Sequence, residues 1–320
     1  MAFSALFIND AGRLRSGWRL GIFVAAFVAL WLLLTSVARI VFVIEELLHF
    51  GSHPFLEEII FRVVFLLSAV LAGWICNYWL EGLPWRALGL SFHSGWWRDL
   101  LVGSLIGGAS LTIAALVGFA AGGLRFEFSG RAMLYPVARA LVGTAVLFIV
   151  AALAEEAAFR GYPLQTLARA KLLWFGVFLT SVPFAIIHWH NPSATIFSTL
   201  NTAIAGVWLA AAYLKTRSLW FPLGVHWAWN WAQGSVFGLA VSGLSLSGHP
   251  VLRAVDQGPS WLTGGSYGIE GGAACTLVLL LSTLFIWRTR LVAATPELKQ
   301  LTSNENPVRR RGPMLLSNEL

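Results

Sequence analysis

The stretch Glu155-Glu156-Ala157-Ala158-Phe159-Arg160-Gly161-Tyr162-Pro163 decides how this chain is read. It follows an apolar run, Leu141 to Ala154, that alone reads as part of a membrane-spanning helix, and no loop signal separates the two. A charge at the centre of a membrane helix costs roughly 2.5–3.5 kcal/mol on insertion scales, and adjacent carboxylates add mutual repulsion. Such groups persist where they line a cavity and have partners. The rest of the chain must supply those partners.

Composition sets the class. The chain is 57% hydrophobic and only 12% charged, whereas a soluble domain is roughly a quarter charged. This is the composition of an all-α, polytopic membrane protein. The net charge of +7 is read as basic loops on one side of a membrane, because no basic patch is interleaved with exposed aromatics as nucleic-acid binding requires. Cys76 and Cys275 lie far apart inside apolar runs. They offer neither a disulfide framework nor metal-ligand spacing, and are read as small core residues.

About eight spans are expected, near residues 20–44, 59–80, 100–121, 135–169, 172–188, 194–214, 219–241 and 273–287. The first run continues past Ser36-Val37-Ala38, so a retained span is preferred to a cleaved signal peptide. Glu81 to Asp99 reads as a polar interfacial linker with Trp85, Trp96 and Trp97. The third span is rich in Gly and Ala, which favours close helix packing. Ser242–Gly272 reads as an ordered Gly-rich loop. Four parts follow: residues 1–134 with three spans and the linker, a catalytic core 135–242, the loop and last span 243–292, and a mobile tail 293–320. Lys and Arg gather before span one, in the alternate turns and after span eight, while Arg125, Arg131 and Arg253 face the other way. Both termini are therefore expected in the cytoplasm.

Three spans carry groups that hydrocarbon would not tolerate unpartnered. Arg160 follows Glu156 by four residues, which suits a salt bridge on one helix face and leaves Glu155 less encumbered. His188 ends an apolar run beginning its motif at Phe184, and His226 and Asn230 share a face at i, i+4. If spans four and five turn near Ala170, Glu155 and His188 both lie roughly 22–27 Å from the turn at ~1.5 Å per residue. A cavity open to the cytoplasmic side would suit this set.

Such a set permits hydrolysis. A carboxylate takes a proton from water, histidine positions that water, and histidine with an asparagine amide donates to an oxyanion. Alternatively Glu155, His188 and His226 could hold a zinc ion, although there is no His-Glu-x-x-His run and no Cys nearby. Ser181 and Ser198 lack the elbow of a serine nucleophile.

At these residues the chain resembles the CAAX prenyl protease 2 and bacteriocin-processing (CPBP, or Abi) family of intramembrane endopeptidases. The family pattern is Glu-Glu-x-x-x-Arg, then Phe-x-x-x-His, then His-x-x-x-Asn or a small residue. It stands here as Glu155-Glu156…Arg160, Phe184…His188 and His226…Asn230, on separate spans. The stretch Trp261 to Gly272 also looks like a feature of bacterial members, and the family's eight-helix core matches the span count. The resemblance implies cleavage of a peptide bond in or near a bacterial inner membrane, within a substrate that is embedded in or anchored to the bilayer. Glu155 would be the base, supported by Glu156 and Arg160, with His188 at the water and His226 and Asn230 at the oxyanion. No cofactor is expected, the glutamate type being favoured over the metallo type.

Two rival classes share the sequence. A proton-coupled transporter would use the carboxylates as a relay, and a non-catalytic family member would be a membrane scaffold. A look-alike motif also exists. Glu57-Glu58-Ile59-Ile60-Phe61-Arg62 satisfies Glu-Glu-x-x-x-Arg, but the 40 residues after it hold no Phe-x-x-x-His. It is read as a solvated acidic loop end, and His190 as a loop residue.

Overall fold

The computed structural model describes residues 6–9, 12–49, 51, 53–130 and 133–302. The apolar runs fold as α1 (Ser16–Leu47), α2 (Pro54–Glu81), α3 (Trp96–Ala120), α4 (Leu134–Glu156), α5 (Tyr162–Arg169), α6 (Leu173–His188), α7 (Ile196–Thr216), α8 (Trp220–Trp231), α9 (Ser260–Thr263), α10 (Ala273–Arg288) and α11 (Pro296–Thr302). α4 continues through a π turn, Ala157–Gly161, into α5, and α8 continues into a second π turn, Ala232–Val236. The eight expected spans thus map onto α1, α2, α3, α4 with α5, α6, α7, α8 and α10. Five segments are long and apolar enough to cross a membrane by length and composition: α1, α2, α3, α4 with α5, and α7. α6 and α10 are shorter apolar helices. The chain is a multi-pass membrane protein built of helices.

Glycine sets the closest packing. A Cβ on Gly103 would lie 2.3 Å from the Phe221 carbonyl oxygen, and one on Gly107 would lie 2.0 Å from that of Val225. From the opposite helix, a Cβ on Gly224 would lie 2.2 Å from the Leu100 oxygen. α3 and α8 therefore meet backbone to backbone, as the glycines of span three suggest. Leu111, Phe221, Val225, Trp208, Trp229 and Val278 continue this core across α3, α7, α8 and α10. Cys76 and Cys275 are buried, as expected of core residues.

The bundle has a basic end, where α1, α3, α6 and α8 begin and α2, α5, α7 and α10 finish. Here the reading of Glu81–Asp99 as a polar interfacial linker is refined at its two acidic ends, which are buried. Glu81 is buried and accepts from Arg169 Nε at 2.8 Å and Thr166 Oγ1 at 2.6 Å, while Arg19 Nη1 lies 3.0 Å away. Arg169, read as a turn marker, likewise lies inside; its Nη1 donates to Gln165. A carboxylate clamped by two guanidiniums fixes α1, α2 and α5 together. Asp99 is also buried, on the first turn of α3.

The far end departs from the sequence reading in another way. Residues in two expected loops pair as β1 (Leu124–Phe128) and β2 (Leu252–Asp256), antiparallel with Phe126 opposite Ala254. Back at the basic end, the tail expected to be mobile forms α11 up to Thr302, docked through Leu298 and Leu301, with Glu297 paired to Arg86. Arg131 and the basic run Arg309 to Arg311 lie outside the described residues.

The glycine seam gives a direct test. In detergent-solubilised protein, Gly107→Leu should lower thermal stability by at least about 1–3 kcal/mol, the usual cost of overpacking. Gly108→Ala, whose Cβ would meet only Ala228 Cβ at 4.0 Å, should leave the melting midpoint unchanged or slightly raised.

Candidate active site

Glu155 and Glu156 occupy the last turn of α4, just before the π turn that holds Arg160. Pro163, two residues beyond that turn, has no N–H to give to the helix ladder. The extra residue of a π turn re-aims the side chains around it, which is why such turns recur at functional sites. It leaves Glu156 and Arg160 within reach at i, i+4, with Arg160 Nη1 donating to Glu156 Oε1 at 3.2 Å. Both side chains are fully buried.

Arg160 is held on several sides. Its Nη2 donates to the Gly206 carbonyl on α7 at 3.2 Å. Its guanidinium lies 4.7 Å from the Phe184 ring centroid and 5.8 Å from that of Phe159. Phe184 thereby gives the Phe-x-x-x-His motif a physical sense: one ring supports the arginine cation and lies beside His188, at 4.7 Å between centroids. His188 Nδ1 is 2.7 Å from the Phe184 carbonyl. A carbonyl only accepts, so Nδ1 carries the proton, and in the neutral ring Nε2 keeps its lone pair.

His226, on α8, spans both glutamates. Its Nδ1 is 2.9 Å from Glu156 Oε1, and its Nε2 is 3.7 Å from Glu155 Oε2. The shorter contact goes to Glu156, which is pinned from both sides by Arg160 and His226. Glu155 keeps 16% of its side-chain surface exposed, against none for Glu156. It is the carboxylate that meets the cavity.

That cavity, about 270 Å³, brings together Glu155, Phe184, His188, His226 and Asn230. Its wall continues through Asn191, Asn201, Ser242, Leu244 and Glu270, which stand at or near the far end. The expectation of a cavity open to the basic end is therefore corrected. The long Gly-rich segment supplies one wall: Glu270 accepts from Trp229 Nε1 at 3.2 Å and from Ser242 Oγ at 3.0 Å, and Asn191 Nδ2 donates to the Ser242 carbonyl at 3.0 Å. Glu58 and Arg62 complete another wall, so their reading as a solvated loop end is also corrected. In sequence they stand at a loop end with no Phe-x-x-x-His nearby, whereas in the fold Arg62 faces Glu155 on α4. His190 is exposed in the turn after α6, outside the cavity lining.

Other chemistries fit poorly. Among the described residues no three His, Cys, Asp or Glu side chains gather as a metal-binding group, so Glu155, His188 and His226 do not form a preformed zinc set. Ser198 is spent in the capping box that starts α7, and Ser181 is packed against Gly206. Ser218, His93 and Asp99 cluster at the basic end, but Ser218 Oγ and Asp99 Oδ2 share one ring nitrogen, at 3.2 and 3.4 Å. A relay needs both nitrogens.

The two glutamates should separate in stability measurements. Glu156→Ala strands a fully buried guanidinium and should cost about 3–5 kcal/mol, the usual penalty for breaking a buried pair. Glu155→Gln, at the cavity wall, should change thermal stability by no more than about 0.5 kcal/mol.

No curated protein matches the chain at a significant level. A family model does. Residues 136–232, which run from α4 through α8 and contain every member of the glutamate, arginine, histidine and asparagine set, match the model of Rce1-like type II CAAX prenyl endopeptidases.

Proposed function

We propose that the chain is an intramembrane endopeptidase in which Glu155 activates the attacking water. The observation that carries this reading is the division of labour between adjacent carboxylates: Glu156 buried between Arg160 and His226, Glu155 at the cavity beside His226 Nε2. The family match supports proteolysis in general, and the residue roles are our own assignment.

In this mechanism a water in the cavity gives one proton to Glu155 while its oxygen attacks the scissile carbonyl carbon. The unprotonated Nε2 of His188 accepts from the same water and orients it. Charge then develops on the carbonyl oxygen, and the Asn230 amide and the Nε2–H of an imidazolium His226, whose Nδ1–H is held by Glu156, donate to it. As the tetrahedral species collapses the carbon–nitrogen bond breaks, and Glu155 returns its proton to the leaving amine. Glu156 and Arg160 act through His226, whose ring they hold. No step runs through a metal.

Substrates in this reading are peptides embedded in or anchored to the bilayer, which reach the cavity from the membrane. We place the protein in the cell membrane with its basic end, and so both termini, in the cytoplasm. The cavity then lies towards the outer face.

Membrane proteomes of cells carrying active or Glu155→Gln protein test the assignment. Juxtamembrane or C-terminal fragments should appear with the active protein and fall by about 10²–10⁴-fold with Glu155→Gln, the scale of a lost general base. Undiminished fragments with the variant would refute the role of Glu155. Cleavage by the purified protein should survive exhaustive chelation, with no stoichiometric metal by elemental analysis; loss on chelation and recovery with zinc would replace this mechanism by a metallo one.

A further inference from the structure

Arg62 lies on α2, a helix outside the segment 136–232 that carries the family match. Its Nε donates to Glu58 Oε1 at 2.8 Å, and its Nη2 lies 2.7 Å from the same oxygen. Its Nη1, on another edge of the planar fork, lies 4.0 Å from Glu155 Oε1. His226 Nε2 faces the other oxygen, Oε2, at 3.7 Å. Glu155 is therefore bracketed, one oxygen towards a guanidinium and the other towards an imidazole. Arg62 and Glu58 both line the cavity and are partly exposed within it, by 33% and 40%.

This placement is unusual for a helix-end salt bridge. An arginine near a membrane surface can extend its flexible stem to water, but here Glu58 pins one side of the fork so that another N–H edge faces the glutamate. The terminal torsion of a glutamate is broad and roughly two-fold. Two flanking donors restrict that rotation. Neither separation is a direct hydrogen bond, so Glu155 is oriented by charge and need not break a bond to take a proton. The remaining charged or titratable groups around it are Glu156 and Arg160 on its own helix and His188 across the cavity on α6.

We propose that Arg62, held by Glu58, is a positioning residue for Glu155: it draws Oε1 to the α2 side and leaves Oε2, next to His226, to receive the proton of water. The proposal rests on Glu155 being the base. It gives α2 a part in the chemistry, and it makes the second Glu-x-x-x-Arg pair of the chain a support for the first.

The test uses full-length protein in membranes and, as probe, an anchored peptide spanning a cleavage site recovered from the fragment comparison. Arg62→Gln should lower kcat by about 10- to 100-fold, the scale of a misplaced catalytic group, with KM within about twofold. Arg62→Lys should keep most of the activity, and guanidinium ion should restore part of the rate of Arg62→Ala. Glu57→Gln, next to the pair but outside the cavity, should match the parent. A wild-type kcat in Arg62→Gln would overturn the proposal, as would a loss that neither lysine nor guanidinium relieves, since that marks a purely structural role. Full activity of Glu155→Gln in the same assay would instead remove the base assignment, and this proposal with it.

Discussion

Glu156 has no exposed side-chain surface, and a carboxylate so placed is tolerated only when its charge is matched on the spot. Arg160 and His226 do the matching, from the π turn after α4 and from α8. Because Arg160 also donates to α7 and lies against Phe184 of α6, one buried charge ties four helices to a common centre. Breaking any of these contacts leaves another group uncompensated in apolar surroundings.

Two further constraints make that centre possible. The glycines of α3 and α8 bring those backbones into contact and fix the depth of α8, and with it the depth of His226 and Asn230. At the basic end, Glu81 between Arg19 and Arg169 anchors α5, so the π turn has a fixed point on its other side. Of the two adjacent carboxylates, Glu155 is then the one that meets the cavity. Glu155 differs from Glu156 by one position in sequence and by a large change in environment, which is the usual way a fold assigns different roles to like residues.

Much of this was legible in the chain. Membrane helices announce themselves by long apolar runs, and the span positions agree with α1 to α8 and α10 closely. Glu155, Glu156, Arg160, His188, His226 and Asn230 stood out because charge is costly in such runs and because their spacing puts them on common helix faces. The Glu156–Arg160 pair is local and was readable for the same reason. What stayed hidden is non-local. The β1–β2 pairing joins residues more than a hundred positions apart, and the Arg19–Glu81–Arg169 clamp joins three span ends that resemble ordinary turns. Arg62 looked like a loop residue because its meaning comes from Glu155, on another helix. The side of the cavity was misjudged because counting along helices gives depth but not which end the walls leave open.

The central claim is that Glu156 acts by holding His226, not as an independent group. A double-mutant cycle on the cleavage rate tests it most directly, using Glu156→Gln, His226→Asn and the two combined. Residues that act as one unit lose their effect once, so the combined variant should fall within about threefold of the slower single variant. If the two losses multiply instead, Glu156 and His226 work separately, and the buried cluster is not the organising element described here.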